Sequence, residues 1–135
     1  MEFCAHQMTR IYKNAWFAKF ASKEKIDDRL LYEAIERAEK GLIDADLGGG
    51  LFKQRIAREG AGKSGGYRTL VFFRSGERAI FAYGFAKSDR ANLTRDELAE
   101  FKRAAKFALA FTQSQVDALI KNGKLEEVEH GNEDL

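Results

Sequence analysis

Residues Phe52–Lys87 read FKQRIAREGAGKSGGYRTLVFFRSGERAIFAYGFAK, and the fold turns on how this stretch is divided. Leu51 to Ala57 alternates as a strand, with Leu51, Lys53, Arg55 and Ala57 on one face and Phe52, Gln54, Ile56 and Arg58 on the other. A glycine-rich connection (EGAGKSGG, Glu59–Gly66) leads into a second strand, Tyr67–Arg74, dense in β-formers. Ser75-Gly76-Glu77 is a tight turn, and Arg78–Lys87 is a third strand. Short connections between consecutive strands predict antiparallel hairpins. On the third strand, alternation groups Phe81, Tyr83, Phe85 and Lys87 on one face and Ile80, Ala82, Gly84 and Ala86 on the other.

The same stretch holds most of the chain's excess positive charge. From Lys53 to Arg90 there are nine basic residues (Lys53, Arg55, Arg58, Lys63, Arg68, Arg74, Arg78, Lys87, Arg90) against three acidic ones (Glu59, Glu77, Asp89). The whole chain is only +2, because Glu126, Glu127, Glu129, Glu133 and Asp134 make an acidic end. Concentrated positive charge of this kind suits an anionic partner.

Outward from the three strands the pattern is helical. Arg10–Lys13 reads as a short strand with Ile11 and Tyr12 on opposite faces. Trp16, Phe17 and Phe20 stand at helical spacing and read as a short amphipathic helix pinned to the core, rather than as a base-stacking surface. Asp27 or Asp28 caps a second helix to about Lys40, with Leu30, Leu31, Ala34, Ile35 and Ala38 as its apolar stripe, a Glu33/Arg37 pair on its wet face and Gly41 as its stop. Asp44–Gly50 (DADLGGG) reads as a loop. Thr94 with Glu97 forms a capping box, flanked by Leu93 and Leu98, for a helix reaching about Phe111. Ser114 with Asp117 starts another short helix, which Gly123 ends. These elements predict one α+β domain over 1–135: a small antiparallel sheet, two N-terminal helices packed on it, a helical extension over about 93–123, and an acidic tail over 124–135.

Several function classes fall away. No apolar run approaches the roughly 20 residues needed to cross a membrane, and MEFCAHQMTR has no signal-peptide pattern. Cys4 is the only cysteine, which fits a reducing, cytoplasmic setting, and with His6 and His130 near opposite ends no zinc pattern assembles. Gly62-Lys63-Ser64 is not a phosphate loop. The required earlier glycine is replaced by Ala57, and a strand rather than a helix follows.

Three motifs together resemble the RelE/HigB family of bacterial type II toxins: Phe52-Lys53-Gln54-Arg55-Ile56-Ala57, then Gly60-Ala61-Gly62-Lys63-Ser64-Gly65-Gly66-Tyr67-Arg68, then Tyr83-Gly84-Phe85-Ala86-Lys87. The resemblance covers about 10–98, and the helices beyond resemble a branch with a C-terminal extension. It implies a ribosome-dependent endoribonuclease that cuts translated mRNA, works without cofactor or metal, and is held inactive by a cognate antitoxin, often of helix-turn-helix type. Carried over residue by residue, it implies catalytic roles for Lys53, Arg55, Arg68 and Lys87, with Tyr83 and Phe85 as the nearest aromatics. The expected contacts to RNA are Arg58, Lys63, Tyr83 and Phe85, with Lys63 on a hairpin tip, where a solvated lysine is the alternative.

The chemistry is consistent with those residue types. Cleavage by the 2′-hydroxyl of RNA needs a proton acceptor, a partner for the phosphate's charge, and help for the leaving oxygen. Arginine can grip a phosphate with two parallel N–H bonds, and a lysine crowded by cations can accept a proton. The expectation is a single cluster of Lys53, Arg55, Arg68 and Lys87 on the sheet. Lys53 and Arg68 on opposite faces would contradict it. Two other readings remain: a non-catalytic RNA-binding or interaction module, since the tyrosine some members carry near the C-terminus has no clean counterpart, and a gyrase-targeting toxin of the ParE type.

Overall fold

The computed structural model describes residues 9–57, 66–90 and 92–129. The elements are β1 (Arg10–Asn14), α1 (Ala15–Glu24), α2 (Asp28–Glu39), β2 (Ala45–Gly48), β3 (Leu51–Ile56), β4 (Tyr67–Arg74), β5 (Arg78–Ala86), α3 (Arg95–Ala110), α4 (Gln113–Lys121) and β6 (Leu125–Glu127). The strands form one sheet in the order β2-β3-β4-β5-β1-β6. All neighbours are antiparallel except β1 and β5, which run parallel. The α+β reading holds, and no described helix is long and apolar enough to cross a membrane.

Strand alternation sends apolar side chains to both faces, so both faces need a cover. Val71, Phe73, Phe81, Ile11 and Ile56 pack under α1 and α2, against Phe17, Leu31, Ala34 and Ile35. Leu70, Phe72, Ile80, Leu51 and Tyr12 pack under α3 and α4, against Ala105, Leu109 and Val116. The C-terminal helices are thus the cover of the sheet's second face.

The capping box of α3 is present in full: Glu97 N–H donates to Thr94 Oγ1 and Thr94 N–H to Glu97 Oε1. For α4 the cap is Thr112 with Gln115, not Ser114 with Asp117. Thr112 follows Phe111, whose extended backbone ends α3, and its hydroxyl reaches the third residue on as a cap must. Two further expectations change. Residues 45–48 of the predicted loop form the edge strand β2, and the turn after it uses Gly48, Gly49 and Gly50 at positive φ. The start of the acidic tail is strand β6, paired to β1 through Tyr12↔Glu127 and Lys13↔Glu126.

The third strand departs from simple alternation. The β4–β5 register runs Leu70↔Tyr83, then Val71↔Phe81, so Ala82 is an extra residue on β5. This bulge breaks the expected Phe81–Tyr83–Phe85 face. Phe81 packs under α1 and α2, while Tyr83 and Phe85 stand opposite Leu70 and Arg68 on the other face. The strand also ends at Ala86, which places Lys87 in the following turn.

Candidate nucleic-acid interface

The basic residues of β3 and β4 meet on the face that α3 only partly covers. Lys53 pairs with Leu70 and Arg55 with Arg68 across the β3–β4 ladder. Cross-strand partners share a face, with Cβ atoms about 5 Å apart. Lys53, Arg55 and Arg68 are therefore brought together, as expected. The next strand continues that face: Arg68 stands opposite Phe85, and Leu70 opposite Tyr83. Phe85 is buried, whereas Tyr83, Lys53 and Arg68 are partly exposed and Arg55 is exposed. Lys87 is exposed in the turn beyond the Tyr67↔Ala86 pair, at the Arg68 end of the sheet, where no ladder fixes its direction. Arg58 and Lys63 lie outside the described residues.

The backbone under Arg55 is held on both sides. Its N–H donates to Asp44 Oδ2 at 2.5 Å, and its carbonyl accepts from Arg37 Nη2 at 2.7 Å. Beyond Ala45↔Lys53 the edge strand no longer covers β3, and the Asp44 side chain takes over its hydrogen-bonding role. Arg37 is thus used on β3, while Glu33 pairs with Arg29 at 3.2 Å instead of with Arg37. Gln54 points to the opposite face, fully satisfied: Nε2 donates to Ala34 O and Leu42 O, and Oε1 accepts from Asp44 N–H.

The seven basic residues of the central stretch that the structure describes separate into two groups. Arg74 and Arg78, also cross-strand partners, lie at the other end of the sheet. Arg74 Nη1 donates to Leu109 O at 3.1 Å, and Arg78 Nη1 to Ala108 O and Phe111 O at 2.9 Å. They satisfy the carbonyls at the C-terminal end of α3, where the helix dipole favours positive charge. Arg90 is also committed, through two bonds to Glu97 (2.6 and 3.2 Å), one to Asn92 O (3.1 Å) and one to the Tyr83 hydroxyl (3.4 Å). The Arg90 hydrogen bond is the main reason the Glu97 carboxyl is lowered to about 2. Among the described residues, by contrast, the side chains of Arg55, Arg68 and Lys87 have no ion-pair partner. Among the described residues Lys53 Nζ reaches only Asn92 Oδ1, at 3.5 Å.

The β5–α3 connection and α1 add residues that pattern reading did not assign to the site. Arg90 lies over the Phe85 ring, 5.7 Å from its centre, and Asn92 touches Lys53. Trp16 is 45% exposed, stacks on Phe20 at 5.2 Å and meets Tyr83 at a tilt, with ring centres 4.6 Å apart. Tyr83 in turn touches Phe85 (6.0 Å) and Phe101 (5.4 Å). A clue to Trp16 lay in its spacing: Phe17 and Ala21 are the buried pair of α1, and Trp16 and Phe20 run beside them on the adjacent stripe. The expected core helix is present, but Trp16 lies outside its core.

A cationic patch on a sheet, edged by aromatic rings, matches what single-stranded nucleic acid requires of a protein. Comparison with known families adds to this geometry. The model of the family described as RelE toxin of the RelE/RelB toxin-antitoxin system matches residues 9–128, nearly the whole chain and including α3, α4 and β6. No curated protein matches the sequence. The chain belongs to the RelE toxin family, and is a toxin of a toxin-antitoxin system that pairs with an antitoxin.

Proposed function

We propose that the protein is a ribosome-dependent endoribonuclease of the bacterial cytoplasm that cleaves translated mRNA on the face formed by Lys53, Arg55 and Arg68. The observation that carries this reading is the direct pairing of Arg55 with Arg68, with no anionic partner for either among the described residues. Like charges directly opposite on a ladder cost stability, and a bound phosphate removes that cost. The two guanidiniums grip the scissile phosphate and take up the charge that develops on it. Lys53, on the same face, accepts the proton of the attacking 2′-hydroxyl, and Lys87 supplies one to the leaving 5′-oxygen. Tyr83 lines the path of the bases, with the buried Phe85 supporting it from beneath, and Arg58 and Lys63 hold the flanking backbone. The cognate antitoxin, of helix-turn-helix type, covers this same basic face.

The test is induced expression in a bacterial host with primer extension across a translated message. Growth arrest with cuts inside the reading frame, lost in a Lys53→Ala/Arg68→Ala double variant that still folds, supports the reading. Arrest without cuts redirects it to gyrase, and folded protein that binds ribosomes without cutting makes it a binding module.

A further inference from the structure

We propose that Trp16, with Lys19 beside it on α1, is a nucleobase-stacking platform that extends the RNA path beyond the basic sheet face. The proposal rests on the RNA-binding part of the function proposed above. An indole is a large apolar surface, and this one is 45% exposed while its ring is packed against Phe20 and Tyr83. A rigid, pre-packed ring loses little entropy when a base stacks on it. Its position fits a strand gripped at Arg55 and Arg68. Tyr83 is two ladder steps of roughly 5 Å from Lys53, and Trp16 adjoins Tyr83 on the far side. The rings of Tyr83 and Trp16 thus run outward from the cations, within reach of bases whose phosphates lie on the patch. Lys19 is exposed one helical turn from Trp16 and has no ion-pair partner among the described residues, so a cation is available for the backbone beside the platform.

Trp16 is the only tryptophan in the chain, so its emission reports on this position alone. The experiment titrates the full chain with a single-stranded decaribonucleotide, 2′-O-methylated to prevent cleavage, and follows Trp16 emission together with the anisotropy of a dye on the RNA. An abasic oligomer with the same number of phosphates serves as control. The expected result is saturable quenching with the same midpoint as the anisotropy change, and none with the abasic oligomer. Trp16→Ser weakens binding by about 5- to 150-fold, the range for loss of one base–aromatic stack, while Trp16→Phe stays within about threefold of the parent. Binding that leaves the emission unchanged, or equal quenching by the abasic oligomer, overturns the platform while RNA binding stands. Absence of binding by either signal overturns the platform and the binding of free RNA together, while the ribosome-dependent reading is decided separately by primer extension.

Discussion

Arg55 lies directly across the β3–β4 ladder from Arg68, and neither side chain has an acidic partner among the described residues. The pairing separates function from stability in a measurable way. Arg68→Ala removes a like-charge contact, so folding stability should hold or rise by a few tenths of a kcal/mol. Cleavage of translated mRNA should fall by two orders of magnitude or more, on the order of the loss seen when a preorganised charge-stabilising group is removed. Arg68→Lys should not rescue it, because an ammonium cannot form the two parallel bonds of a guanidinium. Thermal unfolding and primer extension on the same variants check this. A variant that loses activity only because it unfolds would refute the assignment.

The same charge pairing has the opposite consequence at Arg78. Its partner across the ladder is Arg74, yet its guanidinium bonds to the carbonyls of Ala108 and Phe111. Arg78→Ala should destabilise the fold by about 1.5–3 kcal/mol, since charged hydrogen bonds to partly buried carbonyls are lost. RNA affinity, measured at a temperature where the variant is folded, should stay near the parent's. Denaturant unfolding reads the first effect and filter binding the second. Equal stability losses at Arg68 and Arg78 would erase the distinction.

That distinction marks where the sequence stops being informative. Arg55, Arg68, Arg74 and Arg78 all look alike as arginines on strands. Their roles diverge because α3 ends over Arg74 and Arg78 and leaves Arg55 and Arg68 open. Local rules carried the rest well: the capping box of Thr94 and Glu97, the α2 stripe, and the shared face of Lys53 and Arg55 depend only on neighbours a few residues away. Non-local events were invisible. The pairing of Tyr12 with Glu127 spans nearly the whole chain, and the Ala82 bulge that turns Tyr83 toward the basic face leaves no mark in an alternating run of apolar residues.

Lys13 is the buried cation that closes the C-terminal strand onto the fold. Its Nζ lies 2.9 Å from Asp28 and 3.3 Å from Glu126, and Asp28 also accepts from Glu129 N–H. Burial alone would lower its pKa, but hydrogen bonds and charge from Asp28 and Glu126 outweigh this and leave it raised. A raised lysine contributes stability that is complete below its unfolded pKa and lost only as pH climbs through the folded one, so the clamp is at full strength at neutral pH. Lys13→Met should cost about 1–3 kcal/mol, less than a fully buried pair because Glu126 is largely in solvent. Hydrogen exchange should accelerate first at Val128, whose N–H bonds to Ile11 O beside this clamp. Uniform acceleration across the sheet instead would mean that Lys13 serves the whole core and not the β6 closure.

Glu97 should give the protein a distinct acid sensitivity. Hydrogen bonds from Arg90 and from the Thr94 N–H lower its pKa from 4.5 to about 2. A lowered carboxylate contributes stability that is complete above its unfolded pKa and is lost as pH falls through the folded one, so the window runs from about 4.5 down to about 2. Glu97→Gln keeps an oxygen to accept from Thr94 N–H and so keeps the cap, but it loses the charge facing Arg90. The melting temperature of the variant should therefore fall less steeply than the parent's between pH 5 and pH 2.5, roughly the span over which this carboxylate titrates. Identical slopes would show that the Arg90 pair adds nothing to folding.

Gly84 ties the sheet to the aromatic edge of the candidate interface. It stands opposite Thr69 in the ladder, and the rings of Phe20 and Phe17 lie over it. A Cβ built there would meet a Phe20 ring carbon at 2.7 Å and a Phe17 ring carbon at 3.1 Å. Phe17 is fully buried and cannot yield, so an added methyl group must lift α1 from β5. Gly84→Ala should cost about 1–3 kcal/mol through overpacking. Because Phe20 stacks on Trp16, the shift should also loosen the Trp16–Tyr83 contact, and Trp16 emission should move to longer wavelength as its ring gains solvent. Loss of stability with unchanged emission would instead mean that Phe20 turns aside while α1 stays in place, leaving Trp16 supported by Tyr83 alone.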